Sequence, residues 1–271
     1  MTSIDRPSNQ TLTRPSELLR TFGPSPFRAV AFDDGRNRVG LNTAARGDVI
    51  NDEAHIHRDF NETWIVLAGE IDFGIGDYPT LRAGAGDVVI SPAGTVHLLT
   101  SASDETSIRL ALAKHGSDHS IPGTRGPGGT PLPARTSPPN LVHTRPADVV
   151  GAQGPAPWAR DLIADTLNRI NLICTAPGDR TVTHAHPDSP QWWVVLQGNL
   201  VWEIEGREPV QARQGDLVFV PAGTMHSIET VGGEDALRYS ITPGSGLRRS
   251  FPDGSQDVYT PDLAGVPWSL A

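Results

Sequence analysis

His55-Ile-His57-Arg-Asp-Phe-Asn-Glu62-Thr-Trp64 and His184-Ala-His186-Pro-Asp-Ser-Pro-Gln191-Trp-Trp193 decide how the chain of 271 residues is read. Both stretches carry His-x-His and then a Glu or Gln five residues on, at a constant separation of 129 positions (55 to 184). Side chains on a strand alternate between faces, so two histidines one residue apart project to the same side. His55 with His57, and His184 with His186, are therefore ready chelates. Glu62 and Gln191 each open the next apolar run and can turn toward the same interior.

The separation holds outward from these pairs. Trp64-Ile-Val-Leu-Ala-Gly69 matches Trp193-Val-Val-Leu-Gln-Gly198, and Gly86-Asp-Val-Val-Ile-Ser-Pro92-Ala-Gly94 matches Gly215-Asp-Leu-Val-Phe-Val-Pro221-Ala-Gly223. Each Pro-Ala-Gly turn leads to one more histidine, His97 or His226, placed to complete a set of four ligands. Proline fixes the approach, and Gly94 and Gly223 permit the positive φ a tight turn needs. Arg109 matches Arg238. Upstream the separation becomes 131 (13 to 144): Thr13-Arg14-Pro15 recurs as Thr144-Arg145-Pro146, and Asn37-Arg38 as Asn168-Arg169. The chain is an internal duplication. It predicts two equivalent domains over 12–114 and 143–243, a Pro/Gly-rich linker over 115–142 and a tail over 244–271.

Composition narrows the function. A formal charge of -9 and a pI near 5.4, with a single lysine at Lys114, oppose a nucleic-acid surface, which needs clustered basic residues. No run approaches the roughly 20 apolar residues of a membrane span, and MTSIDRPSNQ lacks the apolar core of a signal peptide, so a cytoplasmic protein is expected. The lone Cys174 excludes an internal disulfide and reads as a small buried strand residue. Short apolar runs such as Asp87-Val-Val-Ile-Ser, bounded by Gly and Pro, read as many short strands of a sandwich or barrel. Only Pro15–Arg20 and Ala147–Val150 read as helix. Six of nine histidines sit in the repeated pattern, whereas His115, His119 and His143 near the linker read as solvated.

The spacing resembles the two cupin motifs. Gly178, five residues, His184-x-His186, four residues, Gln191, six residues, Gly198 is similar to the first motif, with Gln where that family usually has Glu. His55-x-His57 through Glu62 to Gly69 keeps the Glu but has Val49 in place of the leading Gly. Gly86 through Pro92, Gly94 and His97, and Gly215 through Pro221, Gly223 and His226, resemble the second motif; Ser101 and Thr230 stand where an Asn is often found. The resemblance implies an all-β bicupin: two tandem jelly-roll barrels with few short helices, each with a metal near its centre. The ligand set becomes His55, His57, Glu62 and His97, then His184, His186, Gln191 and His226, for up to two metals per chain.

Three imidazoles with a carboxylate suit Fe(II), Mn(II), Ni(II), Co(II) or Zn(II), and the resemblance favours iron or manganese. Four ligands leave about two octahedral positions open for substrate or dioxygen. With a divalent ion the Glu62 site carries a net charge of +1 and the Gln191 site +2, so the second should hold an anionic chelator more strongly. Glu62 can serve as a permanent ligand or as a base. Strand parity sends Trp64, Val66, Trp193 and Val195 inward, as pocket wall or as core filler, and Trp192 outward. Arg109 and Arg238 could anchor a substrate carboxylate, although a structural ion pair is the favoured reading. These residues point to a metal-dependent enzyme. The leading expectation is a dioxygenase for a small anionic, enolisable or aromatic substrate; a non-redox isomerase, decarboxylase or lyase, and a non-catalytic binding bicupin, are the alternatives. The only partner expected is a small molecule, with no nucleic acid or membrane and a homodimer left open.

Overall fold

The computed structural model describes residues 2–23, 26–49, 54–117, 138–244 and 247–259. The stretch expected as a linker lies mostly outside these residues, as do His119 and the end of the tail. The chain forms two compact units: residues 17–148 joined by 1–8, and the chain from 149 onward joined by 9–16. The boundaries expected at 12 and 143 therefore shift. Leu12–Thr13 pairs with Val218 and Leu217 in the second unit, and His143–Thr144 pairs with Val89 and Val88 in the first. The segment ahead of each repeat thus lies against the Gly-Asp strand of the other repeat's sequence, a pairing that no local pattern encodes.

Both units use one plan. In the first, the strands Phe27–Asp33, Asn37–Ala44, Ser107–Lys114, Glu62–Ala68 and Val88–Ser91 lie side by side in that order, and Tyr78–Ala83, Ile71–Ile75 and His97–Ser101 form a smaller sheet. In the second, Trp158–Ala164, Asn168–Thr175, Ala236–Pro243, Gln191–Gln197 and Leu217–Val220 repeat the larger sheet, and Val210–Arg213, Asn199–Ile204 and His226–Val231 repeat the smaller. All these neighbours pair antiparallel. Period-two patterning explains the strands: Ile71, Phe73 and Ile75 are buried, while Asp72 and Gly74 between them are only partly so. Two short helices, Pro15–Phe22 and Pro146–Ala152, precede the units' strands, each starting on a proline that suits a first helical turn. No helix among the described residues is long and apolar enough to cross a membrane.

The tail continues as a hairpin of Leu247–Ser250 with Gln256–Tyr259. Cys174 is buried within Asn168–Thr175 and unpaired. His143 departs from its expected solvated state: its Nε2 lies 2.7 Å from Asp87 Oδ2 and the side chain is largely covered. Linker-like composition concealed that this residue belongs to an edge strand. His115 remains half-exposed beside Asp33.

In the second unit Trp193, Val195, Leu200, Trp202 and Ile228 form one buried cluster, with the Trp193 and Trp202 rings meeting edge to face at 5.7 Å. Removing a fully buried indole from such a core costs about 3–5 kcal/mol. Trp202→Ala should lower the second unit's stability by that amount in denaturant unfolding followed by tryptophan fluorescence. A loss under about 1 kcal/mol would show that Trp202 does not anchor this core.

Candidate metal centre

His55 and His97 are 42 residues apart, yet they form a reciprocal backbone pair. His55 N–H donates to His97 O at 3.2 Å and His97 N–H to His55 O at 3.0 Å. His184 and His226 repeat this at 3.0 and 2.9 Å. Residues paired this way point their side chains to one face. The turn that delivers the last histidine is stapled to the first pair: Gly94 N–H donates to His57 O at 2.6 Å, and Gly223 N–H to His186 O at 2.8 Å. Both glycines adopt positive φ, +77° and +74°, as the Pro-Ala-Gly reading required.

In the first unit His55, His57, Glu62 and His97 are all buried, and one donor atom from each lies within 4.8 Å of every other. Glu62 Oε2 is 2.8 Å from His57 Nε2 and 3.0 Å from His97 Nε2, and His97 Nε2 is 3.2 Å from His55 Nε2. Glu62 is on the larger sheet and His97 on the smaller, so the two sheets face each other with the donors between them. Neighbouring ligands on an octahedron with bonds of about 2.1 Å stand roughly 3.0 Å apart, so the set has the dimensions of a transition-metal site. Ser91 Oγ and Thr95 O both lie 3.1 Å from His97 Nδ1. The bond to the carbonyl requires Nδ1–H, which leaves the Nε2 lone pair of a neutral ring free for a metal. Burial alone would raise the Glu62 proton affinity, but the His57 and His97 rings against its carboxyl outweigh it and hold it below the usual range. Phe60 covers the His57 ring at 4.5 Å and Trp64 the His97 ring at 5.1 Å.

The second centre gathers His184, His186 and His226 within the same limit. Each Nδ1 faces a backbone carbonyl: Val182 O at 2.7 Å, Arg248 O at 3.1 Å and Thr224 O at 3.0 Å. All three rings therefore direct Nε2 inward, and those of His186 and His226 are buried without a hydrogen bond. Desolvation lowers the pKa of all three, His226 to about 3 against a raising contribution from Thr224 O, so the ligand form persists. Gln191 differs from Glu62. Its Nε2 donates to Ser240 Oγ at 2.7 Å, its Oε1 is buried and accepts no hydrogen bond, and its side chain lies against His186. The donor sets of both centres fit a divalent transition metal.

The expected inner face is present in both units. Trp193 meets His226 at 5.4 Å as Trp64 meets His97, while Trp192 is buried on the opposite face. Arg109 pairs in register with Val66, and Arg238 with Val195, so both arginines share the face of the donors. The ladder shifts beside each, leaving Leu67 and Leu196 as equivalent bulges that re-aim the strand. The structural ion pair favoured for these arginines is not formed among the described residues. Arg238 Nη1 donates to Thr175 Oγ1 at 2.8 Å, whereas Arg109 Nε and Nη1 are buried without a hydrogen bond. Desolvation lowers the Arg109 pKa to about 9, with Glu62 opposing and Arg28 assisting. Sequence reasoning missed Ser91, Ser240 and the Arg248 carbonyl. Ser240 had a signal, since the 129-residue offset sets it against Ala111; a backbone carbonyl had none.

Two units of facing antiparallel sheets, each holding a histidine cluster between them, define a double-barrel metal-binding protein. The cupin domain model matches residues 46–113 and 171–242, more than half of the chain and all six clustered histidines, and the chain belongs to the cupin family. It is 30% identical over 82 residues to the tetracenomycin polyketide synthase protein TcmJ of Streptomyces glaucescens, covering 30% of this chain and 54% of that protein. It is 35% identical over 43 residues to the uncharacterized protein YdbB of Bacillus subtilis, covering 16% and 38%. The chain thus spans about half or less of these curated relatives. A cupin 2 conserved barrel protein from Leptotrichia buccalis superposes with a TM-score of 0.63 at 14% identity over 86% of this chain and 95% of that one. A salicylate 1,2-dioxygenase from Pseudaminobacter salicylatoxidans does so with 0.64 at 14% over 84% and 83%. At these identities the likeness is one of fold.

The tail hairpin gives the second centre a testable support. Ser250 and Ala185 exchange backbone hydrogen bonds at 2.9 Å, Arg248 Nε donates to Asp188 at 2.8 Å, and Arg248 O holds His186. A chain ended after Pro243 should keep the metal bound by the first centre and bind it at the second ten- to a hundred-fold more weakly, the usual cost of losing an outer hydrogen bond to a ligand. Metal content after dialysis would check this; full retention of two metals would dismiss the hairpin's role.

Proposed function

We propose that the chain is a metal-dependent oxidoreductase, a dioxygenase of a small carboxylate-bearing, enolisable or aromatic compound, working in the first barrel. Arg109 carries this reading: a buried guanidinium with two unbonded nitrogens, on the inner face that also bears Glu62. Buried guanidinium nitrogens without hydrogen bonds are costly, and a substrate carboxylate would satisfy them through charge-assisted bonds. His55, His57, Glu62 and His97 would hold a divalent metal, iron or manganese, which when bound supplies Lewis acidity and, for iron, chemistry with dioxygen.

The other residues position and shield. Trp64 and Phe60 pack against the histidine rings and exclude water from the donors. Glu62, buried among His55, His57 and His97, is placed to serve as a ligand. The salicylate dioxygenase that shares the fold acts on a hydroxyaromatic acid by its name, in keeping with this substrate class.

Iron-loaded protein should consume dioxygen with some member of a panel of hydroxyaromatic acids, diphenols and diketones, followed with an oxygen electrode. Arg109→Ala should raise KM for a carboxylate substrate about 10- to 100-fold, the equivalent of about 1.5–3 kcal/mol for a hydrogen bond to a charged group. No uptake with any substrate would overturn the oxidative reading. Anaerobic turnover with Zn(II) that collapses in Glu62→Gln would transfer the assignment to non-redox chemistry, and a thermal shift by sugar or acid in metal-free protein, without turnover, to simple binding.

A further inference from the structure

We infer that Ser240 is a positioning residue that makes Gln191 the fourth ligand of the second centre. The inference rests on that centre holding a metal. A glutamine side chain has two ends of opposite character, an acceptor oxygen and a donor nitrogen, and only the oxygen can ligate a divalent ion. Rotation of the terminal amide would exchange them. Ser240 Oγ accepts from Gln191 Nε2 at 2.7 Å, which anchors the donor end at Ser240 and leaves Oε1 at the other end of the amide. The opposite end, Oε1, is buried with no hydrogen bond, and the side chain lies against His186, whose own Nε2 is likewise buried and unbonded.

A buried carbonyl oxygen without a donor and imidazole nitrogens without protons repel one another unless a cation sits among them. The pair also has a matched counterpart. At the 129-residue offset Gln191 stands against Glu62, and Ser240 against Ala111. A carboxylate presents oxygen at both ends and needs no orienting partner, so a methyl group suffices at Ala111. A glutamine needs one, and the serine is found only where the glutamine is. Ala111 and Trp64 are paired across the strands as Ser240 and Trp193 are, so the two positions face the same interior.

The experiment uses full-length protein with His55→Ala and His57→Ala to remove the first centre, titrated with Co(II), whose visible spectrum reports its ligands. This parent should bind one Co(II), and Ser240→Ala should bind it ten- to a hundred-fold more weakly with a changed spectrum, as expected for loss of an outer hydrogen bond. Alanine at the corresponding place in the first unit indicates that the variant folds. A double-mutant cycle separates positioning from general packing. If Ser240 acts through Gln191, adding Ser240→Ala to Gln191→Ala changes nothing further, and Gln191→Glu with Ser240→Ala regains affinity. Equal affinity and spectrum in Ser240→Ala, or additive losses in the cycle, would overturn the inference. A parent that takes up no Co(II) would refute the metal reading itself, whatever Ser240 does.

Discussion

Everything in both centres depends on one backbone feature: a histidine early in the repeat and one about 42 residues later exchange both of their main-chain hydrogen bonds. Such a pair fixes the distance between two chain segments and forces their side chains to one side. Imidazoles on short side chains then meet without further adjustment. The Pro-Ala-Gly turn supports the pair by bonding back to the second histidine, so three of four ligands are held by main chain before any metal binds. This preorganisation has a cost. Buried lone pairs and a buried carboxylate lie within about 3 Å of one another, an arrangement that a divalent cation relieves.

On this common frame the two centres differ in charge and in support. The first places a carboxylate between two histidines, backed by Ser91 and faced by the unbonded Arg109. The second replaces the carboxylate with an amide held by Ser240, engages its arginine with Thr175, and gains a ligand support from the tail hairpin through Arg248 O. The first centre leaves Arg109 Nε and Nη1 unbonded on its inner wall, and the second leaves Gln191 Oε1 and the Nε2 atoms of His186 and His226 unbonded. Duplication preserved the geometry while the electrostatics of the two centres diverged.

Much of this was legible in the chain. Strand alternation read from His55 and His57, and from Glu62 and Trp64, is borne out in the packing of Trp64 on His97 and of Trp193 on His226. Periodicity works there because it is a local property of extended backbone. It fails where the deciding contact is distant or made by main chain. Ser240 lies 49 residues from Gln191. Arg248 contributes a carbonyl that any residue would provide. His143 sits in composition that reads as linker, yet pairs with Asp87 because its two-residue strand extends a sheet 54 positions earlier in the chain, His143 against Val89.

By itself the sequence determined the duplication, the identity of the clustered side chains and the charge difference between Glu62 and Gln191, because spacing and residue chemistry are written along the chain. Tertiary structure decided which segments complete each sheet, which end of Gln191 faces the histidines, and that Arg109 is buried without a hydrogen bond at Nε and Nη1. These depend on atoms brought together across tens of residues, where hydrogen-bond direction and desolvation are set by the folded surroundings rather than by any neighbour in sequence.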